Sequence, residues 1–568
     1  MSKELILIVM VALPYLGGLV ATCLPKQARN IAATLAMAIA SSGVLCAALL
    51  YPEIAAGKTT QVEVAWLPSI GLNLIFRLDG LSWLFAILVL GIGALVALYA
   101  RYYMSPKDPV PRFFSYLLAF MGSMLGVVMS GNLIQIVVFW ELTSLFSFLL
   151  IGYWHHNQNA RDGAWMALTV TGAGGLCLLV GMIMLGHIVG SYELAAVLAS
   201  GDAVREHPLY LPTLVLILVG AFTKSAQFPF HFWLPQAMAA PTPVSAYLHS
   251  ATLVKAGVYL LIVLWPIMSG TDAWYVLVGG AGMASLLIGS FAAIFQHDLK
   301  GLLAYSTIGH LGLIVLLLGL GSPLAAVAAI FHTLNHATFK ASLFMAAGII
   351  DRETGTRDLR RLSGLFRFMP ITATLAMVAA AAMAGVPLLN GFLSKEMFLA
   401  EALAHDAGAR VNYVFPALAT LASCFSVLYA LRFIQQTFFG PAPVDLPRQP
   451  HEAPSWMRLP IEILVLICLV VGIVPSLTIG PFLDMGVRSV LGDQTPYYSL
   501  AVWHGFNTPL LLSTVALVGG VALYVAFARR INTNPHGAPP LFSWLHARQI
   551  FELTMSGVTS GARALLSR

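Results

Sequence analysis

A chain of 568 residues with 59% hydrophobic and only 10% charged residues, at a mean hydropathy of +0.84, is not a soluble globular protein, where about 25% charge is usual. Its formal charge of +6 is spread as Lys and Arg between apolar runs, so it reports membrane topology and lends nothing to a nucleic-acid reading. Cys23, Cys46, Cys177, Cys424 and Cys468 form no C-x-x-C pair, which excludes iron–sulfur ligation and c-type haem attachment on this chain alone.

Apolar runs long enough to span a bilayer recur fifteen times, near 5–25, 31–51, 79–100, 113–130, 132–152, 165–190, 211–226, 244–268, 273–295, 301–320, 323–350, 370–403, 413–439, 459–480 and 507–528. Lipid offers no partner to backbone N–H and C=O groups, so these runs are predicted to be helices. The expected fold is an all-α polytopic membrane protein of about 15 transmembrane helices. The first run carries Lys3 and Glu4 in front and no cleavage site followed by a soluble domain, so it reads as a retained helix. Lys and Arg crowd one set of alternate loops, at Lys26 and Arg29, at Arg101, Lys107 and Arg112, and between Arg352 and Arg367. That bias predicts an N-terminus outside and a cytoplasmic C-terminal tail.

Glu141, in NLIQIVVFWELTSLFSFLL, is the one acidic residue deep in an early run. Four lysines also lie inside runs: Lys224, Lys255, Lys340 and Lys395. Each costs about 2.5–3.5 kcal/mol at a helix centre on insertion scales, on the order of 10 kcal/mol together, comparable to the stability of a whole domain. Pairing, hydration or deprotonation must offset this, and Glu141 is the natural partner for one cation. Lys224 is followed by Pro229 and Pro235, and Lys395 follows Gly385, Pro387 and Gly391, so two runs are predicted to be broken beside a lysine. The plainer alternative is a lysine snorkelling to the interface.

Two broken helices five runs apart suggest two five-helix units, helices 4–8 and 9–13, the second inverted because five is odd. The corresponding divisions are 1–110, a first repeat at 111–268, a second at 269–440, and C-terminal helices with a cytoplasmic amphipathic tail at 441–568. His249 and Lys255 follow Pro241 and Pro243 at a spacing that points them about 120° apart on a helix, one towards Lys224 and the other towards the centre. Lys300 opens its run and fits either an interfacial anchor or a relay member. In FHTLNHATFKASLF, His332, His336 and Lys340 are four residues apart and drift by only about 80°, giving one titratable stripe. Histidine titrates near neutral pH, so the stripe suits proton transfer through water. Zinc is disfavoured, since no Glu, Asp or Cys completes a ligand set and a lysine cation would repel the metal.

The run FPFHFWLPQAMAAPTPVSAYLHSATLVKAGVYLL resembles the antiporter-like membrane subunits of respiratory complex I, membrane-bound hydrogenases and multisubunit Mrp-type cation/proton antiporters, over roughly residues 65–440. Lys255 and the GFLSKEMF stretch are similar to the large A-type component of the Mrp antiporters. Matched by position, the resemblance makes Glu141 and Lys224 the family's ion pair, His332, His336 and Lys340 its central relay, and Lys395 its terminal lysine. It implies a component of a secondary transporter, not an enzyme, exchanging H+ for Na+ (or K+) without a cofactor of its own. It also implies a bacterial cell membrane and a hetero-oligomer with small and antiporter-like membrane subunits. The large A-type components continue past this length, so their further helices, and any sodium path there, are expected either to be cut from this chain or to be supplied separately. The rival from another class is a redox-driven proton pump carrying the same kind of chain.

Overall fold

The computed structural model describes residues 2–67, 72–404, 413–443 and 445–532, with five further positions between 552 and 560. The expected amphipathic tail falls almost wholly outside the described residues. Helices dominate: α1 (Lys3–Thr22), α2 (Arg29–Ala55), α3 (Gly80–Tyr103), α4 (Val110–Met129), α5 (Leu133–Ile151), α6 (Gln158–Val189) and α7 (Tyr210–Lys224). They are followed by α8 (Thr242–Ser250), α9 (Leu253–Met268), α10 (Gly280–Phe295), α11 (Leu299–Gly319) and α12 (Pro323–Thr354). The last are α13 (Pro370–Ala384), α14 (Asn390–Ala404), α15 (Val414–Phe438), α16 (Ser455–Ile473), α17 (Gly480–Leu491) and α18 (Thr508–Asn532).

Among the described residues, twelve helices are long and apolar enough to cross a membrane, counting α8 with α9 as one. The protein is therefore a multi-pass membrane protein. Three of the fifteen expected runs lie outside these twelve by length or composition. The runs at 211–226 and 370–403 yield the shorter apolar helices α7 and α13, and the run at 323–350 forms α12, 32 residues long and rich in polar side chains.

An all-helical fold is also corrected. Residues between α2 and α3 form an antiparallel hairpin, β1 (Thr60–Leu67) with β2 (Leu72–Leu78), in the register Thr60↔Leu78 and Val62↔Phe76. TQVEVAWL and LNLIFRL are too polar and short to span, and their backbones are satisfied by pairing with each other. The hairpin is pinned to the α4–α5 turn, where Gly131 N–H donates to Ile75 O at 2.7 Å and Ile75 N–H donates to Gln135 Oε1 at 2.7 Å.

The core lies along α8, α9, α11 and α12, which are buried almost throughout, whereas α18 rides on the outside against α15 and α14. α10 and α11 approach backbone to backbone through glycines. A Cβ on Gly289 would sit 2.4 Å from Gly309 N, and one on Gly312 would sit 2.4 Å from Leu286 N. Small residues of this kind let membrane helices pack closely where hydrophobicity gives no net drive.

Three helices are interrupted in the core. α7 ends at Lys224, and the chain turns through Ala226 (φ 49°) into short helical turns at 230–239 before α8. α13 ends at Gly385 (φ 88°), the left-handed conformation glycine adopts without strain, and α14 restarts at Asn390. The third interruption, at Ala251 and Thr252 between α8 and α9, corrects the expectation of one continuous helix through His249 and Lys255.

Candidate functional site

Every buried lysine is held by neutral oxygen. Lys224, the last residue of α7, is fully buried; its ammonium donates to Trp140 O at 2.9 Å and Ser144 Oγ at 2.6 Å, and lies 5.1 Å from the centre of the Trp140 ring. Glu141 is on the same turn of α5 as these acceptors and close enough to Lys224 to interact electrostatically. The two are not in direct contact: among the described residues no carboxylate lies within 4.0 Å of Lys224, and Glu141 Oε1 has no hydrogen-bond partner. That oxygen is turned towards α6, where a Cβ on Gly175 would sit 1.6 Å away, while Gly174 makes room for Thr223 beside the lysine. The GAGG stretch thus supplies the space in which Glu141 and α7 meet α6.

Lys255 and His249 do serve different neighbours, with one reassignment. The Lys255 ammonium donates to Thr333 O at 2.9 Å and is within electrostatic reach of His332 and His336, so it joins the central stripe. His249 sits between Trp233 and Phe344, at ring distances of 6.3 and 6.2 Å, and its charged neighbour is Lys300. The break at Ala251 and Thr252 resets the angular count from which the sequence places one of the two towards Lys224. Lys300 is 1% exposed and donates to Ala240 O at 2.6 Å. Beside it, Arg357 pairs with Asp298 at 3.0 Å.

The central stripe on α12 is buried as a whole. His332 Nε2 meets His310 Nδ1 at 3.0 Å and His332 Nδ1 meets Ser394 Oγ at 2.9 Å. His336 packs its ring against His310 and Phe339, at 5.5 Å from each. Its nitrogens, like those of His249, have no protein hydrogen-bond partner among the described residues. Lys340 donates to Ser306 Oγ and Met383 Sδ and, at 3.4 Å, to Leu303 O.

Lys395 reaches back to the end of the preceding half-helix. It donates to Met383 O at 2.8 Å, Ala384 O at 3.0 Å and Ser426 Oγ at 2.8 Å, so its charge sits on the negative end of α13. Glu396 does not pair with it. Its carboxylate takes a hydrogen bond from Asn507 and lines a separate cavity of about 300 Å3 with His504 and Tyr498.

Sequence reasoning misses His310, Ser394, Ser426 and Tyr429. His310 Nε2 lies 3.2 Å from Tyr429 OH, which lies 3.0 Å from Ser426 Oγ. A histidine in the apolar run after Lys300 is the available signal for the first; hydroxyls in membrane helices are too common to mark the others. Among the described residues no three His, Cys, Asp or Glu side chains are grouped to hold a metal ion.

Comparison with known proteins shows the family. A family model described as "NADH:quinone oxidoreductase/Mrp antiporter, TM" matches residues 130–423, and one described as "NADH-Ubiquinone oxidoreductase (complex I), chain 5 N-terminus" matches residues 66–114. The chain is 64% identical, over 97% of its length and 55% of the relative's, to a probable K(+)/H(+) antiporter component of the A/B type from Rhizobium meliloti. It is 45% identical, over 83% of its length and 62% of the relative's, to the A-type component of the Na(+)/H(+) antiporter of Alkalihalophilus pseudofirmus. A solved chain of the Mrp complex from Dietzia sp. DQ12-45-1b superposes with a TM-score of 0.86 at 34% identity, over 99% of this chain and 60% of that one. The chain thus spans a little over half the length of these relatives. With the family model covering more than half of its residues, the chain belongs to the NADH:quinone oxidoreductase/Mrp antiporter family of membrane subunits.

Proposed function

We propose that this chain is the antiporter-like membrane component of a multisubunit monovalent cation/proton antiporter, and that it moves protons through Lys300, His249, Lys224 with Glu141, Lys255, the His332–His336–Lys340 stripe and Lys395. The observation that carries the reading is the burial of these five lysines without a contacting carboxylate, in a fold whose relatives are named as antiporter components. A buried ammonium held only by carbonyls and hydroxyls is costly unless its proton can leave, so such lysines in a membrane core mark a path for charge. Approach of Glu141 favours protonated Lys224; withdrawal of Glu141 releases that proton inward towards Lys255 and the central stripe. Transfer at His249 and His336 passes through water.

The cation is a monovalent alkali ion. One relative's name specifies potassium and another's sodium, so H+ against Na+ or K+ is the class assigned. The chain works with other membrane subunits in a bacterial cell membrane, N-terminus outside, with no cofactor of its own. Fifteen membrane passages and two inverted repeats, 111–268 and 269–440, flanked by 1–110 and 441–568, are part of the same proposal. It is supported by the interruptions at Lys224 and before Asn390, each next to a buried lysine.

A second reading, a proton-pumping component of a redox complex, is favoured by the NADH:quinone oxidoreductase half of the family description. Vesicles holding the complete complex decide between them. Addition of Na+ or K+ is expected to collapse an imposed proton gradient, and Lys224→Ala or Glu141→Ala to abolish this while the complex stays assembled. Normal flux in both variants refutes the relay. A gradient that forms only on adding a reductant selects the redox pump.

A further inference from the structure

The stripe on α12 and Lys395 on α14 are joined by protein atoms through two further helices, α15 and α11. From Lys395 Nζ the contacts run to Ser426 Oγ at 2.8 Å, to Tyr429 OH at 3.0 Å, to His310 Nε2 at 3.2 Å, and from His310 Nδ1 to His332 Nε2 at 3.0 Å. Ser426 and Tyr429 are three residues apart on α15, on one face of that helix, and both are buried, as are Lys395, His310 and His332.

We infer that the hydroxyls of Ser426 and Tyr429 carry the proton between Lys395 and His310, which makes α15 part of the translocation path and not only a wall around it. The inference rests on the relay reading above and adds its route between the stripe and the terminal lysine.

One assignment of donors and acceptors that these distances allow runs in a single direction. The Lys395 ammonium donates to Ser426, Ser426 O–H to Tyr429, and Tyr429 O–H to His310 Nε2. His310 Nδ1–H then donates to His332 Nε2, and His332 Nδ1–H to Ser394, whose own hydroxyl faces Gly391 O at 3.4 Å. In this assignment each group uses its donor once, both histidines are neutral Nδ1–H tautomers, and Ser426 O–H turns to Tyr429 from Met383 O, its other acceptor at 3.3 Å. A concerted shift breaks one N–H bond at Lys395 and the O–H bonds of Ser426 and Tyr429. It forms the O–H bonds anew on the neighbouring sides and an N–H bond at His310 Nε2. Lys395 is left as a neutral amine and His310 as an imidazolium; no electron moves and no co-reactant is needed. The alternative link through Ser394 is incomplete, because Ser394 bonds His332 and its own helix but not Lys395.

The test uses the complete complex in inverted membrane vesicles, with a pH-sensitive dye reporting proton flux on addition of Na+ or K+. Tyr429→Phe and Ser426→Ala are each expected to lower the flux at least tenfold with assembly unchanged, and Ser426→Thr, which keeps a hydroxyl, to retain it. Wild-type flux in Ser426→Ala and Tyr429→Phe, alongside its loss in Lys395→Ala, overturns the α15 route and leaves the relay standing. Wild-type flux in Lys395→Ala overturns the relay reading and this route with it. Should Tyr429→Phe fail to assemble, the Ser426 pair of variants decides.

Discussion

The rings of His310 and His332 lie edge to edge, their planes 16° apart and their centroids at 5.3 Å, with facing nitrogens at 3.0 Å. Once one of two neutral imidazoles so placed takes up a proton, it can pass one on to the other through a single hydrogen bond, whereas two imidazolium ions would repel. His310→Phe keeps the ring volume and removes both nitrogens. It is expected to leave assembly intact and to reduce cation-dependent proton flux in vesicles at least tenfold, close to the effect of His332→Phe. The double variant is expected to lose no more than the worse single one, because both residues act in one chain.

The glycine that shelters Glu141 separates electrostatics from packing. A methyl at Gly175 collides only with the flexible carboxylate end of Glu141, so Gly175→Ala is expected to fold normally while pushing that carboxylate out of its place. Flux should fall towards the level of Glu141→Gln, and thermal unfolding in detergent should be unchanged within ~0.5 kcal/mol. An unaltered flux shows that Glu141 does not work from this position.

Gly312→Ala makes the opposite case. Its Cβ would meet backbone atoms of Leu286 and Gly282, which cannot swing aside, so α10 and α11 must part. Overpacking of this kind costs about 1–3 kcal/mol, and the expected readout is a lower unfolding temperature of the purified complex. A melting curve superimposable on wild type contradicts the close approach.

These outcomes bear on what the sequence discloses. Charged residues in lipid carry so large a penalty that Lys224, Lys255, Lys340 and Lys395 stand out from composition alone, and the glycines and prolines beside two of them announce the breaks. His310 lies in a run marked only by Lys300 and has no titratable neighbour at helical spacing; its partners, His332 and Tyr429, come from two other helices. The interruption at Ala251 and Thr252 involves residues ordinary in any helix, so the facing of His249 requires coordinates. The hairpin before α3 is hidden among longer apolar runs, although TQVEVAWL alternates as a strand does.

On the face carrying the basic loops, Asp358 is held below its ordinary carboxylate value by the hydrogen bond from the Arg360 guanidinium. A folded-state value below the unfolded one gives stability that is present above the unfolded value of ~3.9 and lost as pH falls through the folded one. Asp358→Asn is therefore expected to be slightly less stable than wild type above pH ~4, by about 0.2–1 kcal/mol for an exposed pair, and indistinguishable from it at lower pH. Thermal unfolding followed across that range checks the sign.

The capture of Lys395 by the exposed carbonyls of Met383 and Ala384 has an electrical consequence. A carboxylate would cancel the charge outright; the tip of a half-helix offers only a fraction of a unit. Any proton resting there leaves an excess positive charge that the rest of the file feels, at about 2 kcal/mol for a second charge ~10 Å away in a medium of effective dielectric ~20. In the proposed relay, occupied and vacant stations are therefore expected to alternate, a proton entering at one end favouring departure of the one ahead of it. Traffic in such a queue is ordered by mutual repulsion, without a gate at every step.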